Sequence, residues 1–202
     1  MSDPDGDERL DSAQAGVPKP QEAAADTSEQ TFRASHAART RSAASRAAAI
    51  SHYIEQHSSA EKHEGGATEK EISWKAAHAA RVAAQAVAVL SESSPAPAAD
   101  SRCARNASAS AAQAAQMGQL YDGSSELSVA AYRAALKASQ AAAEAAAAGG
   151  SGENETLNAR ADAAEVEAVA AAERAGWMLP GQDVPQASTG MRSPDLMSMM
   201  HL

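Results

Sequence analysis

A chain of 202 residues with a net charge of −9 and one cysteine fits one domain of ordinary size. It has no internal disulfide and no multi-cysteine metal site, and its acidity makes it a poor general ligand for nucleic acid. Its hydrophobic fraction of 44% is mostly alanine (55 residues), while Leu, Ile, Val and Phe together number 21.

So low a share of large aliphatic residues warns of disorder. Alanine answers part of that warning, because it loses no side-chain entropy in a helix. The composition therefore predicts an all-α protein with a thin core. An alanine methyl gains roughly 0.8 kcal/mol on burial, against roughly 1.5–3 kcal/mol for a Leu or Ile side chain. Support from alanine propensity, self-association or a partner is expected. The apolar stretches fall well short of the ~20 residues of a membrane span. The N-terminus "MSDPDGDERLD" lacks the apolar region of a secretory signal, so a cytoplasmic location is expected.

Residues 1–30 hold 8 acids, 2 bases and three prolines, and read as a disordered acidic tail. "DPDGDE" alternates aspartates, but its glycine and glutamate do not fall where a calcium loop needs them. A helical domain is predicted over 31–178. Its first helix spans Thr31 to about Ser58, with Ala43, Ala47, Ile50 and Ile54 on one face and Phe32 extending that face weakly. A loop follows over 58–68.

The second helix is predicted from Glu69 to Ser91, with the seam Ile72, Ala76, Ala79, Ala83, Ala86 and Leu90. Thr68 and Glu71 have capping-box spacing at its start. The prolines of "SESSPAPAAD" end it. A third helix, capped by Asp100 or Ser101, runs to about Tyr121 with the seam Cys103, Ala107, Ser110, Ala114, Met117 and Tyr121. Beside that seam lies a stripe of small residues, Ala104, Ala111 and Gly118.

The fourth helix, Ser125 to Ala148 with Ser124 as cap, carries Leu127, Ala131, Ala134, Ala138, Ala141, Ala145 and Ala148 on one stripe. Val129, Tyr132 and Leu136 form another. The fifth, about Asn154 to Ala175, carries Leu157, Ala161, Ala164, Ala168, Ala171 and Ala175, with Met178 beyond. Residues 179–202 read as a mostly disordered tail ending in the Met-rich "DLMSMMHL". Spacing of 4-3 implies shallow crossing angles, and alanine at the seams lets axes approach closely. The expected fold is an alanine-rich antiparallel bundle of about five helices with disordered tails.

Catalytic constellations are scarce. The Glu-x-x-His pair of a di-iron bundle is absent, as are Gly-rich phosphate loops, G-x-S-x-G and H-E-x-x-H. No cofactor is expected. His57, Glu61 and His63 cluster with His52 and Glu64 and form a weak metal candidate, since imidazole and carboxylate can share a divalent ion. A polar helix end, with His57 favoured by the dipole, accounts for the same residues.

Residues 31–57 carry four arginines against Glu55. Arg39 and Arg46 are seven apart and share a face, which suits phosphates. They equally suit the acidic fifth helix, through Asp162, Glu165 and Glu167, and that pairing is the favoured reading. Cys103 sits in a seam and reads as a small buried hydrophobe. Trp74 and Trp177 are candidate interface anchors. Trp74 is the better one, because it lies with His78, Arg81 and Gln85 off the alanine seam.

The leading expectation is a non-catalytic helical interaction or scaffold protein that binds itself or another helical protein. The alternative is a small regulator that contacts nucleic acid through the basic first helix. An enzyme or metal carrier built on the His52–Glu64 region ranks last.

Overall fold

The computed structural model describes residues 20–58, 66–147 and 152–181. Five helices follow one another: α1 (Pro20–Ser58), α2 (Gly66–Glu92), α3 (Pro97–Tyr121), α4 (Glu126–Ala147) and α5 (Glu155–Arg174). No strand occurs among these residues. The N-terminal tail before Pro20, the C-terminal tail beyond Gly181, Glu61, His63 and Ala148 lie outside the described residues.

Two predicted starts move. α1 begins at Pro20 rather than Thr31, and proline suits a first helical turn because its missing N–H is unpaired there anyway. α2 begins at Gly66, so Thr68 lies inside its first turn and is not its cap.

Two caps also move. α3 starts at Pro97 behind Ala96, and Asp100 acts from within the first turn by accepting the Ala96 N–H at 3.3 Å. α4 is capped by Ser125, whose Oγ accepts the Ser128 N–H at 3.2 Å, while Ser124 sits at a φ of 60° in the preceding turn. For α5 the expected start holds, with Asn154 Oδ1 accepting the Leu157 N–H at 3.0 Å.

Side-chain pairs fix the helix directions. Arg33, early in α1, donates to the carbonyls of Leu90 and Ser93 at the end of α2 and ion-pairs with Asp100 at the start of α3. Tyr53, near the end of α1, reaches Asp122 at the end of α3. Lys137–Glu167 and Glu144–Arg160 pairs run α4 against α5. Thus α1, α3 and α5 point one way and α2 and α4 the other, and the bundle is antiparallel between chain neighbours. α3 packs against α1, α2 and α4, while α5 packs against α4 and α1.

The predicted seams are the core. Ala43, Ala47, Ile50 and Ile54 of α1 are fully buried, and Ala76, Ala79, Ala83, Ala86 and Leu90 of α2 face them. α3 buries both its seam and its stripe of small residues, as a central helix must. One expectation fails: Leu127 is 54% exposed. It is the second residue of α4, and a helical Cα–Cβ bond tilts toward the N-terminus, so this side chain leaves the end of the bundle.

Candidate functional site

The arginines proposed for phosphate contact are buried between α1 and α5. Arg39 donates from Nε to Asp162 Oδ1 at 2.8 Å and from Nη2 to Asn158 Oδ1 at 3.1 Å. Arg46 forms a two-pronged pair with Glu165, Nε to Oε1 at 3.2 Å and Nη2 to Oε2 at 2.8 Å. Ser35 donates to Asp162 and Ser42 to Glu165. Ser35, Arg39, Ser42 and Arg46 therefore make a second, polar 4-3 line on α1. It faces Asn158, Asp162 and Glu165 on α5.

The nucleic-acid reading of Arg39 and Arg46 requires free guanidinium groups, and here both are enclosed and paired with carboxylates. Glu167, grouped with those acids in the sequence, instead pairs with Lys137 of α4 at 2.7 Å.

His57 is exposed on the last turn of α1, where its Nδ1 bonds the Tyr53 carbonyl at 2.7 Å. Its proposed metal partners Glu61 and His63 fall outside the described residues. Among the described residues, no group of three His, Cys, Asp or Glu side chains is placed to hold a metal ion. Cys103 is buried, and burial, with Asp100 adding to it, pushes its thiol pKa up. That is the behaviour of a packing residue, not a nucleophile.

The two tryptophans part company. Trp177 is only 2% exposed. Its Nε1 donates to Asp122 Oδ2 at 2.7 Å, while Tyr53 donates to Oδ1 of the same carboxylate at 2.9 Å. The indole lies flat enough on α3 that a Cβ at Gly118 would come within 2.9 Å of it. Burial, with the Asp122 hydrogen bond adding to it, raises the Tyr53 hydroxyl to a pKa of about 12. Trp177 is thus a knot joining the ends of α1, α3 and α5 and not a free anchor.

Trp74 is 61% exposed. It stacks on His78 one turn later, with ring centroids 5.5 Å apart and planes 12° from parallel. Arg81 is exposed on the same outer face of α2. The inner face of this helix is alanine packed on α1 and α3, so Trp74 contributes little to the core. A large ring held in one orientation by a neighbour is a low-entropy contact surface.

Sequence reasoning missed several buried polar residues. His36 and Thr40 are fully buried, and they continue the α1 seam backward at 4-3 spacing as His36, Thr40, Ala43, Ala47, Ile50, Ile54. A polar residue on an apolar heptad line was the available signal. Asn158, seven residues before Glu165, gave the same signal on α5, whereas Glu165 itself was already named as a partner for the α1 arginines. The pairings of Asp100 and Asp122 had no local signature, since their partners lie on other helices.

No family model, no curated protein and no solved structure matches this chain. Among the described residues, no helix is long and apolar enough to cross a membrane.

Proposed function

We propose that this chain is a non-catalytic helical interaction protein whose contact surface is the outer face of α2, centred on Trp74, His78 and Arg81, and whose partner is itself or another helical protein. One observation carries the reading: the largest side chain type in the sequence stands 61% exposed on a regular helix, stacked and oriented, in a protein that otherwise covers its aromatic rings at least in part. The charged groups support it from the other side. Arg39 and Arg46 of α1 are paired with α5 and Arg33 with Asp100 of α3, which takes three of the four α1 arginines off the free surface and leaves the outer face of α2, with its stacked Trp74, as a distinctive exposed patch among the described residues.

The test compares wild type with Trp74→Ala. The variant should keep its thermal midpoint, because the ring is outside the core. It should lose self-association in sedimentation, or lose specific species in affinity capture from the native cell read by mass spectrometry. A wild type that stays monomeric at high micromolar concentration, with a capture profile identical to the variant's, overturns the reading.

A further inference from the structure

His36 is fully buried at the end of the bundle where α1, the start of α3 and the connection into α5 converge. Its Nε2 meets the Gly152 carbonyl at 3.0 Å, while its Nδ1 is buried with no hydrogen-bond partner among the described residues. The Gly152 carbonyl can only accept, so Nε2 carries the proton there, and burial, then Arg39, disfavour a second proton on Nδ1: the ring is a neutral imidazole that donates to Gly152. The same carbonyl accepts from Asn158 Nδ2 at 2.6 Å.

Gly152 cannot yield its place easily. It holds a φ of 100°, and a Cβ there would come within 2.7 Å of the Pro97 carbonyl oxygen and of Ser101. One peptide therefore ties α5 to α1 and to the start of α3, and an uncharged histidine is its anchor on α1.

The charged groups around His36 are Arg39 on its own helix, Asp100 on α3 and Asp162 on α5. Asp100 is committed to Arg33, and Asp162 to Arg39 and Ser35. A proton on His36 would add a second buried cation beside Arg39, and the two carboxylates near it among the described residues, Asp100 and Asp162, are already engaged and offset burial and Arg39 only in part. Relief requires the ring to reach water, and that means parting α1 from Gly152.

We propose that His36 is a proton-sensitive latch: when it is protonated, the Gly152 connection and the first half of α5 separate from α1, while α1, α2 and α3 stay packed. Burial, and then Arg39, hold the His36 pKa below its ordinary 6.5 in the closed form, so the proton is taken up only on opening. The sign follows. The open form binds more protons than the closed form, and the closed form is lost as pH falls below about 6.5. Each pH unit beneath that value favours opening by up to about tenfold until the closed form also titrates.

Hydrogen exchange of the full chain, corrected for intrinsic rates and compared at about pH 7.5 and about pH 5.5, tests the latch. The expected result is a loss of protection of about tenfold or more over residues 152–162, with the α2 and α3 amides unchanged. His36→Gln keeps a side-chain N–H donor but cannot titrate, and should abolish the pH effect. If that variant does not fold, the wild-type ring resonance of His36 supplies the second readout, and it should titrate below the ordinary histidine value of 6.5. An equal loss in His36→Gln, a uniform loss across all helices, or an ordinary His36 titration overturns the proposal.

Discussion

α5 meets its two neighbours by opposite means. Toward α4 it presents Ala161, Ala164 and Ala168, which pack on Ala138, Ala141 and Ala145 with no larger buried side chain in the cluster. Toward α1 it presents Asn158, Asp162 and Glu165, which meet two arginines and two serines. The first seam works by close approach and dispersion, and it is non-directional. The second works by matched charge and hydrogen bonds, and it fixes register, because a slip along the helix would strand a buried ion. The alanine seam carries no such ion, so the polar seam sets the position of α5 and the alanine seam gives it a surface to rest on.

The largest effect should come from breaking the polar seam on one side only. Arg46→Ala leaves the Glu165 carboxylate buried without its cation, and Glu165→Ala does the converse. Each should cost about 3–5 kcal/mol in chemical denaturation. The double change Arg46→Met with Glu165→Leu removes both charges and should be no less stable than wild type. If the double variant is as weak as the singles, the seam acts through packing and the contrast with the alanine side dissolves.

Overfilling the alanine seam comes next. Ala161→Leu should lower stability by about 1–3 kcal/mol, seen as a drop in thermal midpoint, because the facing alanines leave no room for the added carbons. Ala163→Leu, on the exposed side of the same helix, should move it by less than about 0.5 kcal/mol. Equal effects at the two sites would mean that α4 and α5 are not closely apposed. The smallest effect belongs to the exposed pairs that flank this seam. Lys137→Ala or Arg160→Ala should cost about 0.2–1 kcal/mol at low salt, and the difference from wild type should vanish at high salt.

The alanine half of this contrast could be read from the sequence. The 4-3 spacing placed Ala43, Ala47, Ile50 and Ile54, and the corresponding lines of α2, α3 and α5, in the core where the structure has them. Periodicity reports which residues share a face, and a face of alanines has one use. It does not report a partner, so Arg39 and Arg46 were legible as a line while their acceptors had to be weighed among several. The α4 stripe was correct from Ala131 on and wrong at Leu127, where the helix end, not its face, decides exposure. The caps Thr68 and Ser124 were displaced for a similar reason: a helix boundary depends on what packs beside it as well as on local residues. Trp74 was separable from the core because it lies off the alanine seam, whereas the burial of Trp177 depends on Gly118 and Asp122, both distant in sequence from it.

The knot of Trp177, Asp122 and Tyr53 has an optical consequence. The chain's two tryptophans occupy opposite environments, one in water and one beneath α3's glycine with its indole N–H on a carboxylate. Their emissions are therefore distinguishable: a dissolved quencher reaches Trp74 and spares Trp177. With Trp74 replaced by phenylalanine, the remaining signal belongs to the junction of α1, α3 and α5 alone. The protein thus carries its own site-specific reporter, able to watch that junction loosen while the outer face of α2 is left silent.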